Sequence, residues 1–401
     1  MSKIKLIIFS IAVILLTACH SDIPMVSLGI DSDYVVERMR LLRLHPEFTG
    51  SSYRWTLRGS SSQPDSVLST ERDLLFVPAD TGTYRLHLDI ADADNPVSTD
   101  TRVTVTDEEV AYSPYISSVY EYRPAPGQFV NNMPYYEKGN TAEDMRRKAE
   151  ESISGTNDVM VSLGSWGGYV TFGFDHTVAN IPGEYDFKIY GNAFYAAQAQ
   201  KENGGSAEPG IVEVSLDVNG NGLSDDPWYE LAGSEYYKPE TLHGYSMTYH
   251  RTPEGHIPTP SSNLSVNDST YILWTDSRGG HGYVEKNKYH SQSYYPEWIS
   301  ADSMTFRGSR LAPNAVDESG RGRYYVLYAY DWGYADNHPN DVDHKACFNI
   351  DWAVDADGRK VHLPGADFIR VYTGVNQTCG WIGETSTEIC RGEDLHLKPD
   401  E

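Results

Sequence analysis

Short runs of alternating apolar and polar residues recur along most of the chain. In the first third, residues 53–57 (YRWTL) and 84–90 (YRLHLDI) place an apolar or aromatic side chain at every second position. A period of two is typical of a β-strand with one face on a core and the other toward water. The pattern therefore predicts a small β-domain that ends near residue 107.

The same alternation continues beyond residue 153. Strand patterns occur at 169–175, 185–190, 211–218, 323–330, 348–354 and 360–363. Because no helical pattern lies between these runs, they indicate a sandwich or a barrel. The absence of a repeat with a fixed period disfavours a propeller.

One helical pattern interrupts this series. Residues 108–152 form a connector with four prolines, and it ends in the sequence TAEDMRRKAEES. Thr141 and Asp144 have the spacing of a capping box, and acidic residues follow in the first turn. We therefore expect a short helix at the end of the connector, with its arginines on a solvated face.

The first 18 residues have the organisation of an export signal. The positive segment MSKIK precedes an apolar run at 6–16, which is too short to span a membrane. The run ends in the sequence LTAC, which resembles the lipobox of bacterial lipoproteins. That resemblance implies lipidation of Cys19. The sequence HSDI after Cys19 is similar to those that send some lipoproteins to the outer face of the outer membrane, so an outer-membrane protein that faces the cell exterior is expected. An ordinary export signal that happens to contain a cysteine is the alternative.

Composition and charge exclude several classes of protein. The chain has 401 residues, and 57 acidic against 32 basic side chains give a net charge of −25. A nucleic-acid partner is not expected, because its backbone requires clustered Lys and Arg. An aromatic content of 12% is too high for a disordered chain.

In residues 19–107, the segments YRWTL, DTGTYRLHLDI and TRVTVTD resemble the PKD-like domain, which is an immunoglobulin-like sandwich. The resemblance implies that Trp55 packs in the core of this sandwich. Tyr84 follows an Asp-Thr-Gly turn and leads into a strand, which is typical of the corner of such sandwiches.

The segments VSLGSWGGYVTFGFD, YDFKIYGNAF and AEPGIVEVSLDVNGNG carry a second resemblance, together with the C-terminal stretch from 348 to 389. They are similar to a group of bacterial cell-surface lipoproteins with a galactose-binding-like jelly roll. The resemblance implies an all-β chain, in which a small PKD-like sandwich precedes a larger jelly-roll β-sandwich at 153–401. It also implies a binding or accessory role beside a TonB-dependent transporter, including transporters for cobalamin.

The most specific local motif is the sequence DVNGNGLSDD at 217–226. Its first nine positions match the calcium loop D-x-[DN]-x-[DN]-G-x-x-D. The expected oxygen ligands are the side chains of Asp217, Asn219, Asn221 and Asp225 and the Leu223 carbonyl, with Asp226 or Glu230 completing the set. Trp228 replaces the usual Glu at position twelve, so the loop is closer to those of dockerin or thrombospondin repeats than to an EF-hand. An Asn-Gly hairpin with solvated acids is the alternative.

Loop aromatics and a second acidic cluster, at 331–343, are the candidates for ligand binding. Exposed rings stack on sugars or flat cofactors, and polar neighbours fix the orientation. The Gly-rich segment 274–298 lacks a regular pattern, and we expect it to be an insertion with binding loops at one end of the sandwich. The candidate residues are Trp274, His281, Tyr283, Tyr294, Tyr295, Trp298, Trp332, Asp336 and Asn337. For each aromatic, burial in the core is the alternative, and for the acidic cluster a solvated loop.

Three cysteines follow Cys19 in the chain, namely Cys347, Cys379 and Cys390. In an oxidising compartment two of them can pair, and Cys379 and Cys390 would close a short loop. A buried thiol is the simplest expectation for Cys347. No Cys/His spacing indicates zinc.

Together these features predict a non-catalytic surface lipoprotein, attached to the membrane by its lipid. It would capture cobalamin or a glycan for an outer-membrane transporter, with calcium stabilising its β-sandwich. A surface glycoside hydrolase is the second hypothesis, since the sequence does not reveal whether two carboxylates lie at glycosidase spacing. An adhesion or structural surface protein is the third.

Overall fold

The computed structural model describes residues 28–59, 64–92, 96–157 and 159–397. These residues form 27 β-strands, one α-helix and one 3-10 helix, which confirms the predicted all-β class. Among them, no helix combines the length and the apolar character that crossing a membrane requires. The export signal and Cys19 lie outside the described residues.

A small sandwich forms near the N-terminus. Its strands are β1 (Asp33–Glu37), β2 (Leu42–Leu44), β3 (Ser52–Leu57), β4 (Ser66–Ser69), β5 (Leu74–Phe76), β6 (Gly82–Ala91) and β7 (Val97–Thr106). Five of them form a sheet in the order β1-β7-β6-β3-β4, and β2 pairs with β5. Alternate positions of β3 and β6 point inward, so Trp55, Leu86 and Leu88 are fully buried. The predicted core position of Trp55 is confirmed.

Tyr84 forms the expected corner of this sandwich. Its hydroxyl donates a hydrogen bond to the carbonyl of Asp80 over 2.9 Å, and its ring packs edge-on against Phe76. A tyrosine that bonds back to the chain a few residues upstream is the tyrosine corner of immunoglobulin-like domains. The contact fixes the turn that leads into β6.

The predicted helix is α1 (Ala142–Ile153), and its N-terminus is the capping box that the sequence indicates. The Asp144 amide donates to Thr141 Oγ1 over 3.2 Å, and the Thr141 amide donates to Asp144 Oδ2 over 2.9 Å. Met145, Ala149 and Ile153 are buried because their spacing of four places them on one face. That face anchors the connector on the larger β-region.

The two arginines of α1 have different environments. Arg147 is largely exposed, as expected, and pairs with Asp144. Arg146 is three-quarters buried, and it pairs with Glu143 and Glu150 and donates to the Val119 carbonyl. The solvated face predicted for both residues is therefore wrong for Arg146. The helix lies against the strand at Ser118–Arg123, and the Arg146 guanidinium donates a hydrogen bond to the Val119 carbonyl of that strand.

Twenty strands follow in the larger region. They are β8 (Ser118–Arg123), β9 (Val161–Ser162), β10 (Tyr169–Gly173), β11 (Val178–Ala179), β12 (Phe187–Tyr190), β13 (Gly204–Gly205), β14 (Gly210–Ser215), β15 (Tyr229–Leu231), β16 (Leu242–His250), β17 (Val266–Asp276), β18 (His281–Asn287), β19 (Ser303–Arg310), β20 (Ala315–Asp317), β21 (Tyr325–Tyr328), β22 (Cys347–Phe348), β23 (Ala353–Val354), β24 (Gly365–Ala366), β25 (Phe368–Thr373), β26 (Glu388–Ile389) and β27 (Arg391–Asp394).

A six-stranded sheet in the order β23-β15-β14-β25-β10-β8 organises this region. In the register of its strands, Val371 lies opposite both Val170 and Val212, so the three side chains share one face and are fully buried there. The other face carries the intervening polar and aromatic residues. This alternation gives one face to the core and leaves the other for additional structure or for a ligand.

A four-stranded sheet in the order β18-β17-β16-β19 forms beside it. It includes residues 274–276 and 281–287, so the expectation that segment 274–298 lacks regular structure is wrong for this hairpin, whereas residues 288–298 lie outside the strands, between β18 and β19. Trp274 pairs with Gly282 in the β17–β18 hairpin. The glycines between them form a tight turn, in which Asp276 accepts hydrogen bonds from the amides of Arg278 and Gly280.

Two other strand boundaries differ from the pattern. Residues 348–354 do not form one strand, because a 3-10 helix at Ile350–Trp352 separates β22 from β23. The side chain of Asn349 accepts from the Asp351 amide over 2.7 Å and caps that helix. Residues 360–363 contain only an isolated bridge, from Lys360 to Val354. Local side-chain hydrogen bonds compete with the strand pattern at these positions.

No disulfide joins the described cysteines, and all three are buried. The Cys379 sulfur lies 3.8 Å from Thr385 Oγ1, and the Cys390 sulfur lies 3.7 Å from the Gly191 carbonyl. The pairing of these two residues, considered from their spacing, does not occur here, because each thiol packs against a different partner. Burial raises the pKa of the Cys347 thiol, as suits an inert core residue.

Candidate functional site

The loop between β14 and β15 folds back on the carboxylate of Asp217. That carboxylate accepts hydrogen bonds from the amides of Gly220 (2.8 Å), Asn221 (3.1 Å) and Gly222 (2.8 Å). Gly220 and Gly222 have φ angles of 71° and 72°, the left-handed region that glycine enters without steric cost. The sequence NGNG therefore fits this turn because it places glycine at the two positions that need a positive φ.

Polar side chains of the same loop converge on Asp225. The amide groups of Asn219 and Asn221 contact its carboxylate at 3.0–3.2 Å. The Oδ2 atom of Asp226 is buried and has no hydrogen-bond partner among the described residues. Asn219 and Asn221 direct their Nδ2 donors at Asp225, and their Oδ1 atoms accept from the backbone amides of Asn221 and Leu223. Carboxylate and amide oxygens are the ligands that a hard cation such as calcium takes, and Asp226 Oδ2 is the one among the expected ligand side chains that is buried without a partner. The calcium site remains a prediction.

Trp228 connects this loop to the outer face of the six-stranded sheet. Its indole N–H donates to the Ser224 carbonyl over 3.3 Å, so the ring is held by the loop itself. The guanidinium of Arg370 lies 4.0 Å from the centre of that ring. The loop at 217–226 therefore contacts Arg370 through Trp228, and Arg370 lines a cleft on this face.

The cleft has a volume of about 400 Å³ and lies between the six-stranded sheet and strand β19. It is lined by Arg123, Gly167, Tyr169, Glu213, Thr305, Phe306, Arg307, Arg370 and Tyr372. Strand register explains why side chains from four strands share this face: Arg123 and Tyr372 both lie opposite Tyr169, and Glu213 lies opposite Arg370.

Two guanidinium groups of the cleft lie on aromatic rings. Arg370 lies 4.8 Å from the ring centre of Tyr169, and Arg123 lies 5.4 Å from that of Phe306. The rings of Tyr169 and Phe306 meet edge-on, with centres 6.4 Å apart. Cation–π contacts of this kind hold an arginine in place and leave its N–H donors available at the ring margin.

The acidic groups nearest the cleft are already engaged. Glu121 accepts from the Tyr169 hydroxyl over 2.5 Å. Glu213 lies 3.5 Å from the Arg370 guanidinium; burial raises the pKa of its carboxyl, and the nearby Arg370 charge opposes that shift. The cleft therefore combines three arginines with one glutamate.

A second cluster lies elsewhere in this region and brings three acids together. Ligand-capable oxygens of Glu208, Asp336 and Glu388 all lie within 4.8 Å of one another. Asp336 and Glu388 are buried, and Glu208 is partly buried. Burial raises the pKa of each carboxyl, to about 7 for Glu388, and the neighbouring acids add to the shift in Glu208 and Asp336. We call these three residues the acidic triad.

The oxygens of the acidic triad are close enough together to hold a cation, but both carboxylate oxygens of Asp336 already accept hydrogen bonds from backbone amides. Asp336 Oδ1 accepts from the amides of Asn192 (2.7 Å) and Ala193 (2.8 Å), and Oδ2 accepts from the Glu388 amide (3.0 Å). Asp336 therefore joins separate chain segments.

The other candidate residues do not meet at one surface. Tyr294 and Tyr295 are 0% and 2% exposed and pack in the core below the four-stranded sheet. Asn337 is buried and holds the Tyr330 backbone through both its donor and its acceptor.

The remaining aromatics are more accessible but dispersed. Trp274 and Trp298 are partly buried against separate cores. His281 and Tyr283 are exposed on β18, whereas Trp332 is exposed beside Trp352, with ring centres 4.7 Å apart. These aromatics therefore form no common stacking platform.

Inspection of the sequence missed the residues of the cleft. Arg123, Tyr169, Arg307 and Arg370 lie on strands far apart in the chain, and each alone has the ordinary appearance of an outward-facing strand residue. The one local clue was Trp228, a large aromatic where a calcium loop usually carries Glu.

No model of a known protein family matches this chain, and no curated protein matches it. Among solved structures, a SusE-like protein is similar to it at 10% sequence identity and a TM-score of 0.22, over 86% of this chain and 88% of that chain. A similarity at this level assigns neither a fold family nor a function, so the geometry of the site has to support any assignment.

Proposed function

We propose that this protein is a lipid-anchored surface protein that captures a glycan in the cleft between the six-stranded sheet and β19, without cleaving it. Calcium in the loop at 217–226 stabilises the binding surface. The captured nutrient then passes to an outer-membrane transporter of the TonB-dependent type, which is the partner that the sequence resemblance implies.

The observation that carries the proposal is the continuous contact from the loop to the cleft. Ser224 holds the Trp228 indole, Trp228 packs on Arg370, and Arg370 lines the cleft. A well-ordered loop at 217–226 is therefore linked to the geometry of the cleft. The cleft is concave and rich in hydrogen-bond donors, and such a site fixes the orientation of a hydroxyl-rich ligand. A cleft of about 400 Å³ suits one or two sugar rings better than a corrin ring system.

Calorimetry on residues 20–401, which include every described residue, tests this function. Glycan oligosaccharides and cobalamin are titrated in calcium and again in EDTA. We expect a glycan to bind without turnover, and to bind more weakly in EDTA and in the Trp228→Ala variant, because both changes release Arg370. Failure of every glycan to bind contradicts the proposal. Binding of cobalamin alone would show that the ligand is a corrinoid and not a glycan.

One observation favours a glycoside hydrolase as the second candidate. Glu213 and Glu230 lie opposite each other in the β14–β15 register, and burial raises the pKa of Glu230 to about 8. A neutral carboxylic acid near an ionised one is the arrangement of a retaining or inverting glycosidase. Glu230, however, accepts a hydrogen bond from Ser309 Oγ over 2.6 Å and does not line the cleft. Release of sugar products that is abolished by Glu213→Gln would favour the enzyme.

The lipid anchor gives a separate prediction. Cys19→Ala should move the protein from the membrane fraction to the soluble fraction, because the acylated thiol would be its only attachment. Metabolic labelling with palmitate, followed by fractionation, measures this change, and Cys347→Ala serves as the matched control. Labelling that persists in Cys19→Ala would contradict the anchor.

A further inference from the structure

The arginines of the cleft are incompletely neutralised. Arg370 has a carboxylate partner, Glu213, at 3.5 Å. For the guanidinium groups of Arg123 and Arg307, no carboxylate of the described residues lies within 4.0 Å. Three like charges around one small concave surface repel each other, and low-dielectric walls strengthen that repulsion. The cleft is thus a positive site on a chain with a net charge of −25.

The arrangement of the arginines suits an anion that enters from solvent. Arg307 is exposed on β19, and Arg123 and Arg370 approach from the opposite wall, which the six-stranded sheet provides. The rings of Tyr169 and Phe306 support the two guanidinium groups of that wall. Planar guanidinium forks bind a planar carboxylate through two parallel N–H···O bonds, which a hydroxyl group cannot reproduce.

We infer that the cleft selects an acidic saccharide, and that the carboxylate of a uronic acid residue is the group held between Arg307 and the sheet arginines. This inference rests on the proposed glycan-binding function and specifies its ligand class. A sulfate ester on a glycan offers the same charge with a different geometry, so the test includes it as a separate arm.

The probes are tetrasaccharides from polygalacturonate, alginate and heparosan, each titrated beside its methyl ester. Esterification removes the negative charge and retains the sugar rings, so it isolates the contribution of the carboxylate. A sulfated galactan tetrasaccharide is the additional arm. We expect at least one uronate to bind, its methyl ester to bind at least about tenfold more weakly, and 0.5 M NaCl to weaken only the charged form.

Arg307→Gln is the decisive variant, because this side chain is exposed and its loss leaves the fold intact. It should weaken uronate binding at least about tenfold and weaken binding of the methyl ester much less, because the ester keeps the sugar hydroxyls and lacks the charge. Arg123→Gln should act in the same direction. Arg359→Gln is the matched control, since Arg359 is an exposed arginine that already pairs with Asp355 and Asp357 and does not line the cleft.

The possible failures are distinguishable. Equal binding of a uronate and its methyl ester, with no effect of Arg307→Gln, overturns this inference and leaves the proposed function in place. Preference for the sulfated probe overturns the choice of carboxylate. Absence of binding by every charged and neutral saccharide overturns both the inference and the proposed function.

Discussion

Calcium is expected to raise the thermal midpoint of the wild-type protein by several degrees, and to have no effect on Asp225→Ala. A ligand that binds only the folded state stabilises it by about 2.7 kcal/mol when its concentration is 100 times Kd. The Asp225 carboxylate contacts the side-chain amides of Asn219 and Asn221, whereas the loop backbone bonds to Asp217. Asp225→Ala should therefore remove a ligand without unfolding the loop. Differential scanning calorimetry in calcium and in EDTA measures the difference.

Two further variants make this test specific. Asp217→Ala should lower the midpoint in calcium and in EDTA alike, because it also leaves the amides of Gly220 and Gly222 without an acceptor. Asp355 is the matched control, since it accepts from the Asp357 and Arg359 amides in a hairpin turn that has no calcium-loop pattern. Asp355→Ala should keep the full calcium response. A calcium response that persists in Asp225→Ala would place the ion elsewhere or show that the loop is only a turn.

The free energy of unfolding in EDTA is expected to fall as the pH rises from about 5 to about 8. Burial raises the pKa of Glu388 to about 7 and that of Glu384 to about 8, and the pKa values of Glu208 and Asp336 are raised as well. In an unfolded chain these carboxyls release their protons near pH 4–4.5. Between the two values the folded chain holds protons that the unfolded chain has lost, so a rise in pH favours unfolding. Each such proton contributes about 1.4 kcal/mol per pH unit.

Urea denaturation at a series of pH values measures this slope. Glu384→Gln should reduce the slope, because an amide keeps the oxygen that accepts from the Gln128 amide and removes the charge. Glu108→Gln is the control: pairing with Arg38 lowers the pKa of Glu108 to about 2, so this group is ionised in both states above pH 5. A stability that is flat or rising between pH 5 and 8 would show that the acidic triad is ionised, as in a cation site.

Local features of this protein could be predicted from the sequence because their interactions span few residues. The capping box of Thr141 and Asp144, the corner at Tyr84 and the turn around Asp217 each depend on residues within five positions of one another. The resemblance to the PKD-like domain likewise implied the core position of Trp55. Where a side chain competed with the strand pattern, as Asn349 does at the 3-10 helix, the boundaries were wrong.

The cleft and the acidic triad depend on contacts that alternation does not specify. A period of two identifies the outward face of a strand, but strand order decides which outward residues become neighbours. Tyr169 meets Arg370 only because β10 and β25 are adjacent, and Asp336 reaches the Glu388 amide only in the folded chain. The aromatics of 274–298 show the same limit, since Tyr294 and Tyr295 lie in the loop between β18 and β19, and the fold decides that they fill a core rather than face a ligand.

The sequence by itself determined the all-β class, the helix and its cap, the Trp55 core position and the fold of the turn at 217–222. The core position of Trp55 follows from the resemblance to the PKD-like domain, and the other features follow from periodicity or from hydrogen bonds between residues close in the chain. The tertiary structure alone decided that Arg123, Arg307 and Arg370 share a cleft and that the oxygens of Glu208, Asp336 and Glu388 lie within 4.8 Å of one another. Strand order decides which side chains become neighbours, and burial shifts their pKa values. Neither effect can be inferred from the residues that adjoin a side chain in the sequence.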